Sequence, residues 1–543
     1  MSAVRPRTLS TGSSSTSIKG RAKSSGKAHR SETDEERDNS ESEDSIDGSV
    51  SVSAVIASEQ TPLLSSSKSG LRHAKPSYKA EFISLWALTL PIWVTYLMEF
   101  AITGITIVVT GHLGTTELNA ASIGSLLINT TTIAPIIFGL TAALDTLATQ
   151  AYTSSNPKTT SLYVQRTAVL IGFSLIPCFI LLSFSEDILL LLRQDPEVAR
   201  LAGQYVKVFM TGIPFLAGFE LLRRWLLAQG LINVPTYALI VAVPVSLVLN
   251  YLLVLGPASV RIGFLGAPLA SVITEFLMLL VLVIFVVFYA PRDAHAGFTM
   301  AAFQDLGPNI KLGIAGIITV CSEWLAWDVV SLAASYLGQT SFAANQIAVM
   351  ISVTLFQLPY AMTIAAGIRI GNLLGAQLSA HAKVASRIVF LSGLLMGVLN
   401  SSTMLISRNY VGRVFTEDVA VIEHLKDIIP LIAIFQIGDD LTGATQGVLR
   451  GAGLAGLAAR ANIASYYFFG VPIGFTLAFK FGWGLKGLWT GHIFALCSNA
   501  ALNSLFVHKV NWRRQARKAK EQSEATEAFL QERREADVGT LEP

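Results

Sequence analysis

The sequence predicts an all-α membrane protein, with twelve transmembrane helices arranged as two pseudo-symmetric six-helix bundles. Three observations carry that reading. Of the 543 residues, 52% are hydrophobic and only 14% charged, whereas soluble domains run near one-quarter charged. From about residue 82 to 508 the chain is a succession of long apolar runs, each able to cross the hydrocarbon core with about 20 residues. The second half of the chain also repeats the first at a fixed offset.

The runs lie near 84–109, 118–147, 161–184, 198–228, 234–256, 264–290, 308–336, 341–374, 384–406, 419–448, 459–480 and 486–508. They divide the chain into an N-terminal tail (1–81), a first half (82–290), a linker (291–307), a second half (308–508) and a charged C-terminal tail (509–543). The N-terminal tail is Ser-rich, with a basic block (Lys19 to Arg30) followed by an acidic one (31–45). Such a composition cannot bury a core, so disorder is expected. The first apolar helix can serve as the insertion signal. A dense basic flank, Lys509 to Lys520, follows the last span, and Arg72, Lys75 and Lys79 precede the first. An even number of spans puts both tails on one side, and the positive-inside rule makes that side cytoplasmic.

Shifting the chain by 224 residues aligns Gly114 with Gly338, Leu113 with Leu337, Thr116 with Thr340, Ala120 with Ala344, Ile123 with Ile347 and Pro135 with Pro359. Later elements match at slightly different offsets, Gly263 and Gly266 with Gly484 and Gly487. Halves with the same number of crossings share an orientation, which makes this a parallel repeat about an axis along the membrane normal. The same shift sets Glu99 of the first span opposite Glu323 of the seventh, each followed by an aromatic, Phe100 and Trp324.

The seventh span is the unusual one. It carries Glu323 and Asp328 among Trp324 and Trp327, although an acid at the bilayer centre costs about 2.5–3.5 kcal/mol on insertion scales. A carboxyl that exchanges a proton in the working pH range must hold it more tightly than a free one, which titrates near 4, and burial provides that. Tryptophan faces suit an organic cation. Five residues apart, the two acids are separated by about 140° around a straight helix. They cannot both face one cavity squarely, so Glu323 ranks first as the coupling group and Asp328 second.

Other chemistries find no support. No G-x-x-x-x-G-K-[ST] loop occurs to cradle nucleotide phosphates, and the net charge of +3 gives no reason to expect a nucleic-acid partner. Cys178, Cys321 and Cys497 sit singly in apolar runs, without disulfide or metal-ligand spacing. Asp440 opens a DLTGAT stretch that echoes a phosphorylated-aspartate motif, but the lysine that motif needs is absent. Asn129 and Asn400 open sequons within or beside spans. The SSNPKTTS loop after the second span lacks the charged pattern expected of a major facilitator. Glu220 with Arg223 and Arg224 reads as an intrahelical ion pair, and Glu275 has any of these as a partner. In the tail, Glu59 to Leu64 (EQTPLL) resembles an acidic dileucine sorting signal, which implies a sorting adaptor and delivery to the vacuolar membrane, with the plasma membrane as the other destination.

Several stretches in order, GHLGTTELNAAS (111–122), ALDTLATQAYTS (143–154), LAQGLINVP (227–235) with LNYLLV (249–254), SEWLAWDVV (322–330), GIRIGNLLGA (367–376), and GVLRGAG (447–453) with GLKGLW (484–489), resemble the multidrug and toxic compound extrusion (MATE) family in its eukaryotic, fungal branch. The resemblance covers about 82–508. It implies a monomeric, cation- or proton-coupled efflux antiporter with two six-helix bundles around a central cavity, working without a cofactor, in the lipid bilayer, on a small cationic substrate. Proton is the coupling ion favoured over sodium. Carried over by position, Glu323 and Asp328 match paired acids of the seventh helix, Asp439 an acid of the tenth, and Gln150 and Asn250 polar positions of the second and fifth. Trp324, Trp327 and Tyr360 are the candidate cavity aromatics. Thr106 stands where bacterial members carry an aspartate in the first helix. Glu99 lies seven residues earlier on the same helical face and is the candidate replacement. Asp145, Arg369 and Arg450 suit a gate or packing role. A lipid-linked flippase of the wider superfamily is the alternative, and it would require a more cationic cavity.

Overall fold

The computed structural model describes residues 75–291, 294 and 297–539; the Glu59–Leu64 motif lies outside them. Twelve helical segments fall on the twelve predicted runs. In order they are α1 Tyr78–Gly111, α2 Thr115–Tyr152, α3 Thr159–Ser183, α4 Pro196–Phe209 with Ile213–Ala228, α5 Asn233–Leu255, α6 Gly263–Phe288, α7 Gly307–Ser335, α8 Gln339–Gly375, α9 Ser379–Ser407, α10 Val419–Gly451, α11 Ala455–Lys480 and α12 Leu485–His508. A further helix, α13, runs Trp512–Gly539. Among the described residues, nine of these helices are long and apolar enough to cross a membrane on their own.

Helices α4 and α10 stand apart from these in structure. The expected single span 198–228 is broken, its two pieces meeting at 50°. Gly212 sits at that break and Pro214 opens the second piece, where a missing N–H costs nothing because a helix start leaves donors unpaired anyway. Helix α10 carries Glu423, Lys426, Asp427, Asp439, Asp440 and Arg450 among its apolar residues. It is an interior helix, lying against α8, α9 and α12, and its polar residues Gln436, Asp439, Asp440, Thr442, Thr445 and Gln446 are buried. Protein interior, unlike lipid, tolerates polar groups that find partners. Wide π turns interrupt α2 (Asn129–Phe138), α5 (Tyr251–Leu255) and α11 (Ala464–Gly470 and Thr476–Lys480).

The repeat is visible in the backbone. Gly114 and Gly338, which the 224-residue shift pairs, precede α2 and α8 with φ of +151° and +103°, in the region that favours glycine. The two halves join along a seam in which α1 and α2 meet α8, α9 and α10, and the start of α7 meets α2 and α3. One buried cluster crosses the seam at the end where α1 begins and α12 ends, bringing Leu85, Leu88 and Ile92 of α1 against Met362, Ile368 and Leu373 of α8. Away from that end the cores are separate: Val330, Ile429, Phe435 and Trp489 belong to a cluster of the second half alone. Close approach across the seam depends on small residues. A side chain at Gly371 would meet Thr149, and one at Gly375 would meet the Gln150 carbonyl.

Candidate functional site

Glu323 sits mid-way along α7, partly buried, on the border between the face packed into the second half and the open face. Arg450 of α10 acts on it electrostatically, and it acts in turn on Asp439 of α10 and Tyr466 of α11. Asp439 is 7% exposed. Asp440, the next residue, is fully buried on the side of α9, where the Asn400 Nδ2 donates to its Oδ2 at 2.8 Å. Sequence reasoning weighed Asp440 only as a phosphorylation echo. The consecutive acids were the available signal, since neighbours on a helix differ by about 100° in direction and so reach different surroundings.

Asp328 takes the opposite face of α7 and is exposed. Trp324 is 41% exposed. Trp327, expected beside Glu323 as a cavity aromatic, instead belongs to an aromatic cluster inside the second half. Its ring lies 5.4 Å from Phe435, 5.9 Å from Trp489 and 4.7 Å from His492. The physical reason is helical: the buried face of α7 is centred on Ala326 and Val330, and position 327 borders that stripe.

The first half is organised differently. Glu99 is not alone: the Arg223 Nη1 donates to its Oε1. Arg223 also pairs with Glu220, and Arg224 reaches Glu220 at 2.8 Å and Asp145 Oδ1 at 2.6 Å. Arg450 of the other half completes the chain, 3.5 Å from Asp145 Oδ2. Charges alternate along it from α1 through α4 and α2 to α10. The guanidinium of Arg223 lies 4.6 Å from the Tyr96 ring centre, and Tyr96 meets Tyr360 edge-on at 5.0 Å. Tyr360 therefore caps the chain from across the seam. The intrahelical pairing expected of Glu220 is present, but its links to Glu99, Asp145 and Arg450 are long-range and had no sequence signal.

Gln150 is also a seam residue. Its Nε2 donates to the Gly451 carbonyl at 2.9 Å, beside a bond from Thr146 to the Arg450 carbonyl and one of 2.7 Å from Thr153 to the Asn372 carbonyl. Arg369 closes the same end through Glu81, with contacts of 2.9 and 3.1 Å. Asn250 stays within its own helix, donating to the Ser246 carbonyl at 2.9 Å. It does not meet Glu323 or Asp439. The site residues thus divide into an acid cluster in the second half, an ion chain in the first, and Arg450 between them.

Comparison with known proteins agrees with this two-half design. The MatE family profile matches residues 91–252 and again 316–476. The chain belongs to the MatE family. Both ends of the two MatE segments are displaced within a residue of the offset read from the glycines, so each half is one family unit. An uncharacterized transporter of Schizosaccharomyces pombe is 36% identical over 78% of this chain and 78% of its own length. Human multidrug and toxin extrusion protein 1 is 31% identical over 82% of this chain and 77% of its length. The crystal structure of the eukaryotic MATE transporter AtDTX14 superposes with a TM-score of 0.78 at 27% identity, covering 82% of this chain and 99% of that one. This MatE protein is accordingly a multi-pass membrane efflux transporter and not an enzyme.

Proposed function

We propose that the protein is a proton-coupled antiporter that moves small organic cations by alternating access, with Glu323 and Asp439 as the coupling groups. The observation that carries the reading is the placement of these acids. Glu323 of α7 acts electrostatically on Asp439 of α10, and neither has an ion-pair partner among the contacts of the described residues. Two nearby carboxyls cannot easily both ionise, so proton and cationic substrate compete for the same charge. The seam is closed at the end where α1 begins and α12 ends, which leaves access from the far end. If the termini are cytoplasmic, this is the outward-facing state, and protonation releases substrate to that side. The relatives named as multidrug and toxin extrusion proteins, and the yeast transporter, support a fungal efflux role. The vacuolar membrane is the site we favour.

A lipid-linked flippase would need a cationic pocket for a phosphate headgroup. Here Arg223, Arg224, Arg369 and Arg450 are each matched to a carboxylate, which argues against it. The test is uptake of ethidium into vesicles holding the purified protein, with and without a pH gradient. Accumulation driven by the gradient in the wild type and lost in Glu323→Gln supports the reading; equal accumulation in both conditions refutes it.

A further inference from the structure

Helices α1 and α9 belong to opposite halves and lie against each other, and both begin at the end where the seam is closed. Their first turns are tied by the Arg387 Nη1, which donates to the Tyr78 hydroxyl at 2.9 Å. Four exposed cations stand at these helix starts, Lys75 and Lys79 in the first half and Lys383 and Arg387 in the second. Among the described residues none of the four takes part in an ion pair. The acid closest to Lys79 in sequence, Glu81, is buried and held by Arg369. The start of α13, which packs on α9, adds exposed Arg513 and Arg514.

Like charges on the two sides of an interface repel, so this edge of the seam gains from an anion placed between them. What the cations border decides the nature of that anion. Lys79 shares a helical face with Ile83 and Leu90, and Arg387 shares one with Leu391 and Leu394. These four apolar side chains are 57%, 46%, 55% and 38% exposed, so on a membrane-spanning helix they face acyl chains. Two apolar stripes thus lead from the cations into the hydrocarbon layer, with the long basic side chains at headgroup height. Charge at one end and hydrocarbon along the rest match the two parts of a phospholipid. A soluble anion matches only the first, and the acidic block of this chain at 31–45 likewise offers charge without acyl chains.

We infer that an anionic phospholipid binds at this edge of the seam, its phosphate between Lys75 and Lys79 of the first half and Lys383 and Arg387 of the second, its chains along α1 and α9. Basic pockets between transmembrane helices take such headgroups. Because the cations come from both halves, the lipid is a bridge that favours the closed seam, and separation of α1 from α9 releases it. The closed-to-open balance at this end then follows the anionic-lipid content of the leaflet that it faces. This holds whatever the substrate and the coupling ion.

The test is native mass spectrometry of the full-length protein, released from detergent with phosphatidylserine or with phosphatidylcholine of the same chains. Wild type is expected to retain phosphatidylserine in preference. The double variant Lys79→Gln, Arg387→Gln, altered only at exposed positions, should bind it about 25-fold more weakly, about fivefold for each cation, with phosphatidylcholine unchanged. Equal retention of the two lipids by wild type, or undiminished phosphatidylserine in the double variant, overturns the site. Displacement by glycerol 3-phosphate at matching concentration assigns it to a soluble anion, and phosphatidylserine binding that appears only after residues 31–45 are deleted assigns it to the chain's own acidic block; either result overturns the lipid. The bridging role is read separately, from spin labels at Lys158 and Arg460, exposed positions of opposite halves outside the site. Short distances should be more populated in phosphatidylserine than in phosphatidylcholine liposomes, and the difference should vanish in the double variant. Equal populations in the two lipids overturn the bridge.

Discussion

Arg450→Gln should loosen the seam at the end where α1 begins and α12 ends. Among the described residues, Arg450 is the one guanidinium that reaches across the seam to the ion chain, 3.5 Å from Asp145. At that separation and an effective dielectric near 20, the gross attraction is about 4–5 kcal/mol. The Arg450 side chain is 13% exposed and Asp145 3%, so part of that attraction is offset by the cost of desolvating both groups. Asp145 also keeps Arg224 at 2.6 Å, which limits the penalty of leaving it behind. The net loss is on the order of 2 kcal/mol, or about thirtyfold in the closed-to-open ratio. The substitution spares the backbone carbonyls of Arg450 and Gly451, to which Thr146 and Gln150 donate, so it isolates the charge. The assay is a distance distribution between spin labels at Lys158 and Lys383, exposed positions at that end in opposite halves. A larger share of long distances in Arg450→Gln is expected. Unchanged distributions would refute the claim that this pair holds the seam.

Further substitutions test other parts of the structure. Glu323→Gln and Asp439→Asn should each abolish gradient-driven ethidium uptake in vesicles, whereas Asp328→Asn, on the exposed face, should retain most of it. Trp512→Ala empties a seat in the seam cluster, where Trp512 is 8% exposed; a loss of about 3 kcal/mol should appear as a lowered Tm in detergent. Gly371→Ala forces a methyl against Thr149 and should cost about 1–3 kcal/mol, while Gly172→Ala, where a methyl meets nothing within 4 Å, should be neutral in the same unfolding measurement.

The positions of the spans were legible because lipid imposes a length and an apolarity that few other environments demand. The repeat was legible for a related reason: Gly114 and Gly338 occupy backbone conformations that other residues adopt at a cost. Pairings across the chain were not. Glu99 meets Arg223 at a separation of 124 residues, and nothing local in the first span specifies that partner. Trp327 shows the same limit at shorter range, since an aromatic next to an acid in sequence points elsewhere once one face of the helix is packed. The charged residues after 509 were readable as a basic flank to the last span, but their docking depends on surfaces supplied by distant helices.

That last helix has a mechanical consequence. α13 leaves α12 at an angle of 79° and touches both halves, but by different means. Toward the second half it is continuous with α12, buries Trp512 and Ala516, and accepts a 2.6 Å bond from Gln377 at the Ala516 carbonyl. Toward the first half it relies on Thr526 with the Tyr163 hydroxyl at 2.8 Å, Ser523 with Ser154 at 2.8 Å, and Phe529 stacked by Arg166. Hydrogen bonds of this kind exchange with water at a net cost of about 1 kcal/mol each, whereas buried tryptophan does not leave its seat so cheaply. On the alternating-access reading proposed above, the helix travels with the second half and unclasps from the first when the halves part. It is a fastener with one permanent and one reversible side, and the polar side sets the ease of release.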